Sequence, residues 1–539
     1  MEIGKRTEAT DNELQLPESV IQHIQSFLSG KEAASTVVLA KSWYNSWLTR
    51  PNLDFDDRYF RGRNSDAQNH EMFLNFLKES MERYEELKLN IESFRLRMNV
   101  RDIDASSSAS GFIVKAVKMC ASGFDVEYHP PLSEFPLPKE LFESKDLVRL
   151  SVLGCRILLG EVMCLRLTSL CLSKVRMEEA MIRNIMETCL MLENLSLSDC
   201  EGFKKVNVTK LAGLRKFTVT SHVTKPMLSW SPLVEFVNKS VASLADDKIN
   251  VSQFWKLNNL VLERVRLGQM VFTDFLSKFP YLEDLKVHYC NGCVKFDLSS
   301  PSLKYISLAD TEKLWIQLVD VPNIRKFKFS GSTIPFLECN TTSKEWESDI
   351  RLTVWNTLGA SGFLEMSNFL SNLSSSKISL AIDLLSKRVE FVPDVHNFPK
   401  PVVENLTLIV HSSNSVSALL DGLIWSFQPK VVNHQLIRMF EKCQNTKCKL
   451  LHPAICKASN EALRLLYEKL TNFENSESCT PTEKLIGWHE FKEVNAEYFE
   501  DVLKEWRPLP RKSLLPVKDV QIRFHLRWGE SSKLCDSGS

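Results

Sequence analysis

Two hydrophobic periods divide the chain. Between Leu16 and Trp47 the apolar residues recur at three- and four-residue steps, so Val20, Ile21, Ile24, Phe27 and Leu28 share one face of a predicted helix. Pro17 sits in a first turn, where its missing N–H has no intrahelical partner to lose, and Gly30 is expected to close the helix. Val37, Val38 and Leu39 follow, then Trp43 and Trp47 four apart on one face, until Pro51 stops the run. Two or three short helices in about forty residues cannot hide that much apolar surface by themselves. Part of it is expected to stay open to a partner.

The second period is the frame Leu-x-x-Leu-x-Leu-x-x-Cys/Asn/Val, the strand signature of a leucine-rich repeat. It fits Leu147, Leu150, Val152 and Cys155; Leu167, Leu170, Leu172 and Val175; Leu192, Leu195, Leu197 and Cys200; and Leu214, Phe217 and Val219. It resumes at Leu257, Leu260, Leu262 and Val265, then at Leu282, Leu285, Val287 and Cys290, at Leu303, Ile306 and Leu308, and at Ile324, Phe327 and Phe329. Starts lie about 20 to 25 residues apart, within the range of such repeats. One interval, Leu214 to Leu257, is about 43 residues and leaves room for a degenerate unit near Leu233 and Phe236. Tyr84, Leu87 and Leu89 read as a first partial unit, and Ile378–Ile382 and Leu406–Val410 as irregular last ones. Each unit is one strand plus a return segment and buries its leucines only by stacking on its neighbours. The expected fold is therefore α/β: a short helical N-terminal module, a solenoid with a curved parallel sheet inside and helices or irregular segments outside, and a small C-terminal α/β segment.

Within the frame, the residue between the last two apolar positions points off the sheet. These residues are Ser151, Cys171, Ser196, Thr218, Val261, Lys286, Ser307 and Lys328, and they drift from hydroxyl to lysine along the chain. A bound target would meet this row, with Ser196, Thr218, Lys286, Ser307 and Lys328 as candidate contacts and acidic character expected opposite the later repeats. The plain alternative is a solvated strand face.

The boundaries read from these patterns are a disordered tail at 1–13, the helical module at 14–56, a helical connector at 57–83, the solenoid at 84–410, the C-terminal segment at 411–528 and a frayed end at 529–539. Asp54–Asp57 is expected to be extended, and residues 69–82 helical through Met72, Phe73, Phe76 and Leu77. Residues 433–473 have helical spacing, with Leu436, Ile437, Phe440, Leu463, Leu466 and Leu470, whereas Val517, Val520, Ile522, Phe524 and Leu526 alternate as a last strand.

Composition narrows the function. The chain has 539 residues, beyond one ordinary core, and its 44% hydrophobic and 25% charged residues are those of a globular protein. Lys plus Arg and Asp plus Glu both number 67, so generic attraction to nucleic acid or anionic membrane lacks an electrostatic drive. The polar N-terminus and the lack of any long apolar run predict neither secretion nor a membrane span. The 14 cysteines are then read as reduced thiols.

LPESVIQHIQSFL, then VVLAKSW, then a second tryptophan and PNLDF, resemble the F-box of plant F-box/leucine-rich-repeat proteins in order and spacing. The departure is at Ala40, Lys41 and Ser42, where members of that family usually carry serine and two basic residues. The resemblance implies docking on the Skp-type adaptor of a cullin-RING ubiquitin ligase, in the nucleus and/or cytoplasm, through Leu16, Pro17, Ile21, Ile24, Phe27, Leu28, Val38, Leu39, Trp43 and Trp47. It also implies that the repeats choose a target protein while catalysis happens elsewhere in the assembly. The alternative is a repeat scaffold or small-ligand sensor outside any ligase, with the N-terminal helices as a mere cap.

Other chemistry reads weakly. Cys155, Cys200 and Cys290 share one frame position and are expected to pack inside the coil. Cys290 and Cys293 form a Cys-x-x-Cys beside His288, but a structural zinc site needs two such pairs. Cys443, Cys448, His452 and Cys456 have a tetrahedral inventory, yet Pro453 interrupts their helix and the spacing is no common knuckle. No metal and no cofactor is therefore expected. Phosphate loops, nucleophile elbows and zinc-protease motifs are missing, so the chain reads as a non-catalytic receptor.

Overall fold

The computed structural model describes residues 16–61, 65–100, 102–131, 134–203, 206–208, 210–221, 256–264, 276, 279–290, 295–310, 314–385, 388–393, 400–410, 415–434, 461, 463–470, 480–500, 504–509 and 521–529. The chain divides into two compact units, Met1–Leu257 and Asn258–Ser539.

The first unit opens with three short helices, α1 (Glu18–Ser26), α2 (Gly30–Ser35) and α3 (Lys41–Leu48). Gly30 does not close α1, as the sequence predicts, but starts α2. Its N–H donates to Asp54 Oδ2 at 2.7 Å, and a Cβ at this position would stand 2.6 Å from the Asp54 carbonyl oxygen. Ser29 and Glu32 satisfy each other's backbone N–H groups in a capping box at the same point, so a new helix begins. Strand β1 (Asn52–Asp56) follows, then α4 (Asp66–Glu86), β2 (Ser93–Asn99), α5 (Ile103–Lys118) and β3 (Gly123–His129).

Tyr84 and Leu87 are not a first repeat strand. Tyr84 lies in α4, where its buried hydroxyl donates to the Arg50 carbonyl at 2.6 Å, and Leu87 caps that helix. The first repeats are β1, β2 and β3, whose Phe94, Leu96 and Met98 and then Phe124, Val126 and Tyr128 are buried by simple alternation. Aromatic and methionine side chains replace leucine there, so the leucine frame misses them.

Beyond a single turn of helix, α6 (Glu140–Glu143), the unit continues through β4 (Arg149–Leu153), β5 (Arg156–Ile157), β6 (Ser169–Ser173), β7 (Arg176–Met177), α7 (Glu179–Thr188), β8 (Asn194–Ser198) and β9 (Lys216–Thr220). Strands β1, β2, β3, β4, β6, β8 and β9 pair in that order, all parallel. On the return side β5 pairs with β7.

The second unit repeats the pattern. Its main sheet holds β10 (Asn259–Glu263), β11 (Asp284–His288), β13 (Tyr305–Asp310), β15 (Lys326–Gly331), β17 (Glu347–Val354), β18 (Lys377–Leu384), β19 (Val402–Val410) and β20 (Gln428–His434), all parallel. A second parallel sheet of β12 (Lys295–Asp297), β14 (Trp315–Val319) and β16 (Phe336–Asn340) forms its return side, followed by α8 (Ala360–Ser371) and α9 (Val416–Ser426). The parallel array thus runs one strand past Leu406–Val410, the last unit read from the sequence, and Asn433 and His434 belong to β20 rather than to a helix. After α10 (Pro481–Ile486), strands β21 (Phe491–Glu500), β22 (Glu505–Pro508) and β23 (Ile522–Trp528) join antiparallel, β23 onto β20.

All eight leucine frames carry a strand with the expected inward pair, as Leu170 and Leu172 do in β6. A residue of positive φ, +49° to +77°, precedes the closing frame position: Gly154, Lys174, Asp199, Arg264 and Tyr289, with Asp320 doing the same after β14. At Gly154 space also demands glycine, since a Cβ would lie 2.6 Å from Pro131 Cα. Helical residues 463–470 bury Leu463, Leu466 and Leu470 as expected. The expected unit near Leu233 and Phe236, Val265, Leu436, Ile437, Phe440, Val517, Val520 and tail residues 1–13 and 530–539 lie outside the described residues. Among the described residues no helix is long and apolar enough to cross a membrane.

Candidate functional site

Polar bonds hold the three N-terminal helices together and turn their apolar residues two ways. Gln25, buried on α1, donates from Nε2 to Thr36 Oγ1 at 3.0 Å and to the Trp43 carbonyl at 3.2 Å, which ties α1 to the turn at Thr36–Val38 and to α3. Thr49 donates to Glu18 Oε1 at 2.9 Å and closes the far end. Ile21 and Ala33 are fully inward. Trp47 is half-buried under the Arg50 guanidinium, which sits 5.4 Å from its ring centroid.

The remaining apolar residues face out. Phe27 is 77% exposed, Val38 83% and Leu39 63%, and Leu16, Pro17, Val20 and Ile24 are exposed as well. Leu28 and Trp43 are half-buried. Of the residues singled out from the sequence, Ile21 alone is sealed, so within this chain its work is packing. Tyr44, exposed on α3 between the two tryptophans, belongs to the same module and is not flagged by the apolar period because it falls off that face.

The strand-face row lies in register as the frame requires. Ser151, Cys171, Ser196 and Thr218 are consecutive neighbours in the first unit, and Val261, Lys286, Ser307 and Lys328 in the second. All are half-buried or exposed. The lysines do not form a positive strip. Lys286 Nζ lies 3.1 Å from Glu263 and Lys328 Nζ 3.9 Å from Asp349, one strand away in each case. Acidic character in a target is therefore not called for by an unbalanced charge here.

Unforeseen from sequence is an ion cluster on β1, β2 and β3. Asp56 accepts from Arg58 Nη2 at 2.6 Å and from Arg97 Nη1 at 3.1 Å, while Arg97 also grips both Glu127 oxygens and Arg95 reaches Asp125 at 3.0 Å. The signal lay in the alternation itself, since FRLRMN and FDVEYH interleave charges with apolar residues.

The metal candidates find other partners or lie elsewhere. The buried Cys290 thiol donates to the Leu262 carbonyl at 3.6 Å, and His288 Nε2 lies 2.8 Å from Ser307 Oγ, with burial pushing its pKa down to about 4. Cys155 and Cys200 are likewise buried, as their frame position predicts. Cys293, Cys443, Cys448, His452 and Cys456 are outside the described residues, among which no group of three or more His, Cys, Asp or Glu is placed to hold a metal.

No family model matches the chain. Among known proteins it is similar to several from Arabidopsis thaliana whose names call them F-box/LRR-repeat proteins. One is 33% identical over 198 residues, 34% of this chain and 36% of that protein. A second is 38% identical over 141 residues, 25% of each. A third is 24% identical over 417 residues, 74% of this chain and 79% of that protein. The aligned part of the chain thus spans little more than a third of the first of these and a quarter of the second.

Proposed function

Because the chain belongs to the plant F-box/LRR-repeat family, we propose that it is the substrate-recognition subunit of a Skp–cullin-type ubiquitin ligase. In this reading Leu16, Pro17, Ile24, Phe27, Leu28, Val38, Leu39, Trp43 and Trp47 dock on the Skp-type adaptor, and through it on a cullin. The strand face of the repeats holds a target protein. Ubiquitin transfer then follows from proximity to an enzyme brought by the cullin arm, and this chain contributes no catalytic residue.

The observation that supports the reading is the open apolar face of α1 and of the turn before α3. A helical cap on the repeats would cover Ile24 and Phe27, yet both are exposed, and water-exposed aromatic and branched side chains in a cluster mark an interface. Buried anchors of this kind are each worth about 2 to 4 kcal/mol, or roughly 30- to 1,000-fold in Kd. The test is titration calorimetry of the purified full chain against a Skp-type adaptor. Phe27→Ala with Leu39→Ala is expected to weaken binding at least about 30-fold. Failure of the unaltered chain to co-elute with the adaptor, or unchanged affinity in the double variant, overturns the reading.

A further inference from the structure

Two thiols unused by the adaptor face or the strand face meet inside the first unit. Cys164 and Cys189 lie with their sulfurs 3.4 Å apart, both buried and both free. Their encounter follows from the repeat. Each stands five residues before a strand residue, Ser169 or Asn194, and these two are register partners of β6 and β8. Equivalent positions on adjacent parallel strands are about 4.8 Å apart, which falls inside the Cα separation of about 4.4 to 6.8 Å that a disulfide spans. Cys164 sits in an irregular run between exposed Met163 and Leu165, and Cys189 ends α7 just ahead of exposed Leu190 and Met191. Exposed residues therefore flank both thiols along the chain.

We propose that Cys164 and Cys189 are a dithiol modification site, oxidised by hydrogen peroxide to a disulfide that ties two successive repeats together. Cys164 loses its proton, and its thiolate attacks one peroxide oxygen. The O–O bond breaks, and the departing hydroxide takes up that proton as water. The Cys189 sulfur then attacks the sulfenic acid at Cys164; the S–O bond breaks, and hydroxide leaves with the Cys189 proton as a second water. Two thiols lose two electrons, and the peroxide gains them. The division of roles follows the hydrogen bond between the sulfurs, which holds Cys164 below the ordinary thiol range and raises Cys189 above it. Cys200, by contrast, is pushed up to about 12 by burial and bonds to backbone carbonyls, so it serves as an internal control.

The test exposes the reduced full-length chain to hydrogen peroxide under native conditions, blocks remaining thiols with a maleimide, digests, and maps the peptides by mass spectrometry. The expected result is a Cys164–Cys189 linked peptide that dithiothreitol reverses, while Cys200 is recovered blocked. Conversion of Met163 and Met191 to sulfoxides reports that oxidant reached this edge. Sulfoxides there with Cys164 and Cys189 both recovered maleimide-blocked, or with Cys164 over-oxidised to sulfinic acid, overturn the proposal. In Cys189→Ser the first step is expected to stop at a sulfenic acid trapped by dimedone. If that variant does not fold, the peptide map of the natural chain decides alone.

Discussion

At the scale of single residues, the ion cluster on β1–β3 has the clearest consequence. Burial by itself disfavours the Asp56 carboxylate, but hydrogen bonds from the Arg58 side chain and backbone and from Arg97 outweigh it and hold its pKa below the ordinary value. Glu127 behaves alike, with burial opposed by Arg97 and His129. Asp125 goes the other way, because burial there outweighs Arg95. A depressed folded pKa contributes stability above the unfolded value of about 4, and that stability is lost as pH falls through the folded one. The melting temperature is therefore expected to drop on acidification below about pH 4. Asp56→Asn should cost about 1 to 3 kcal/mol at neutral pH and shrink the acid-side drop. Melting curves from pH 7 to 3 check this, and an unchanged acid-side drop in the variant refutes it. The leucine frame passes over the two strands that carry most of these charges. It does not announce their pairing, which depends on which strands lie side by side.

Among elements, α8 and α9 approach each other closely. A Cβ on Gly422 would lie 2.3 Å from the Phe363 ring, and Ser426 Oγ donates to the Phe363 carbonyl at 3.1 Å. In the fold Gly422 is the notch that receives a ring. Gly422→Ala is expected to cost about 1 to 3 kcal/mol through overpacking in spite of alanine's better helix propensity. Adding Phe363→Leu should return part of the loss, and urea unfolding of the single and double variants measures both; a gain in stability from the single variant refutes the notch. The return sheet of β12, β14 and β16 was equally hidden. Its strands bury Phe296, Ile316, Leu318 and Leu337, outside the leucine frame.

For the molecule as a whole, the fold separates residues that hold it together from apolar residues it leaves exposed. Leu170, in β6, is buried, and Phe27 stands in water. Leu170→Ala should cost about 2 to 5 kcal/mol of stability and leave adaptor affinity of the folded chain unchanged. Phe27→Ala should change stability by no more than about 0.5 kcal/mol. Paired unfolding and binding titrations distinguish the two, and a variant that loses stability and affinity in proportion contradicts the separation.

Local pattern determined the helices at the front, the strands of all eight leucine frames and which side of each strand is buried, because a period of two or of three to four is a property of neighbouring residues. The repeats built from Phe94, Leu96 and Met98 or from Phe124, Val126 and Tyr128 escaped, since their side chains fill the same space without the leucine spelling. Tertiary structure alone decided that Gly30 opens a helix against Asp54, that Lys286 and Lys328 are answered by Glu263 and Asp349, and that Cys164 meets Cys189. Each of these depends on residues some 20 or more positions away in the chain, and such contacts exist only once the strands have taken their order and register.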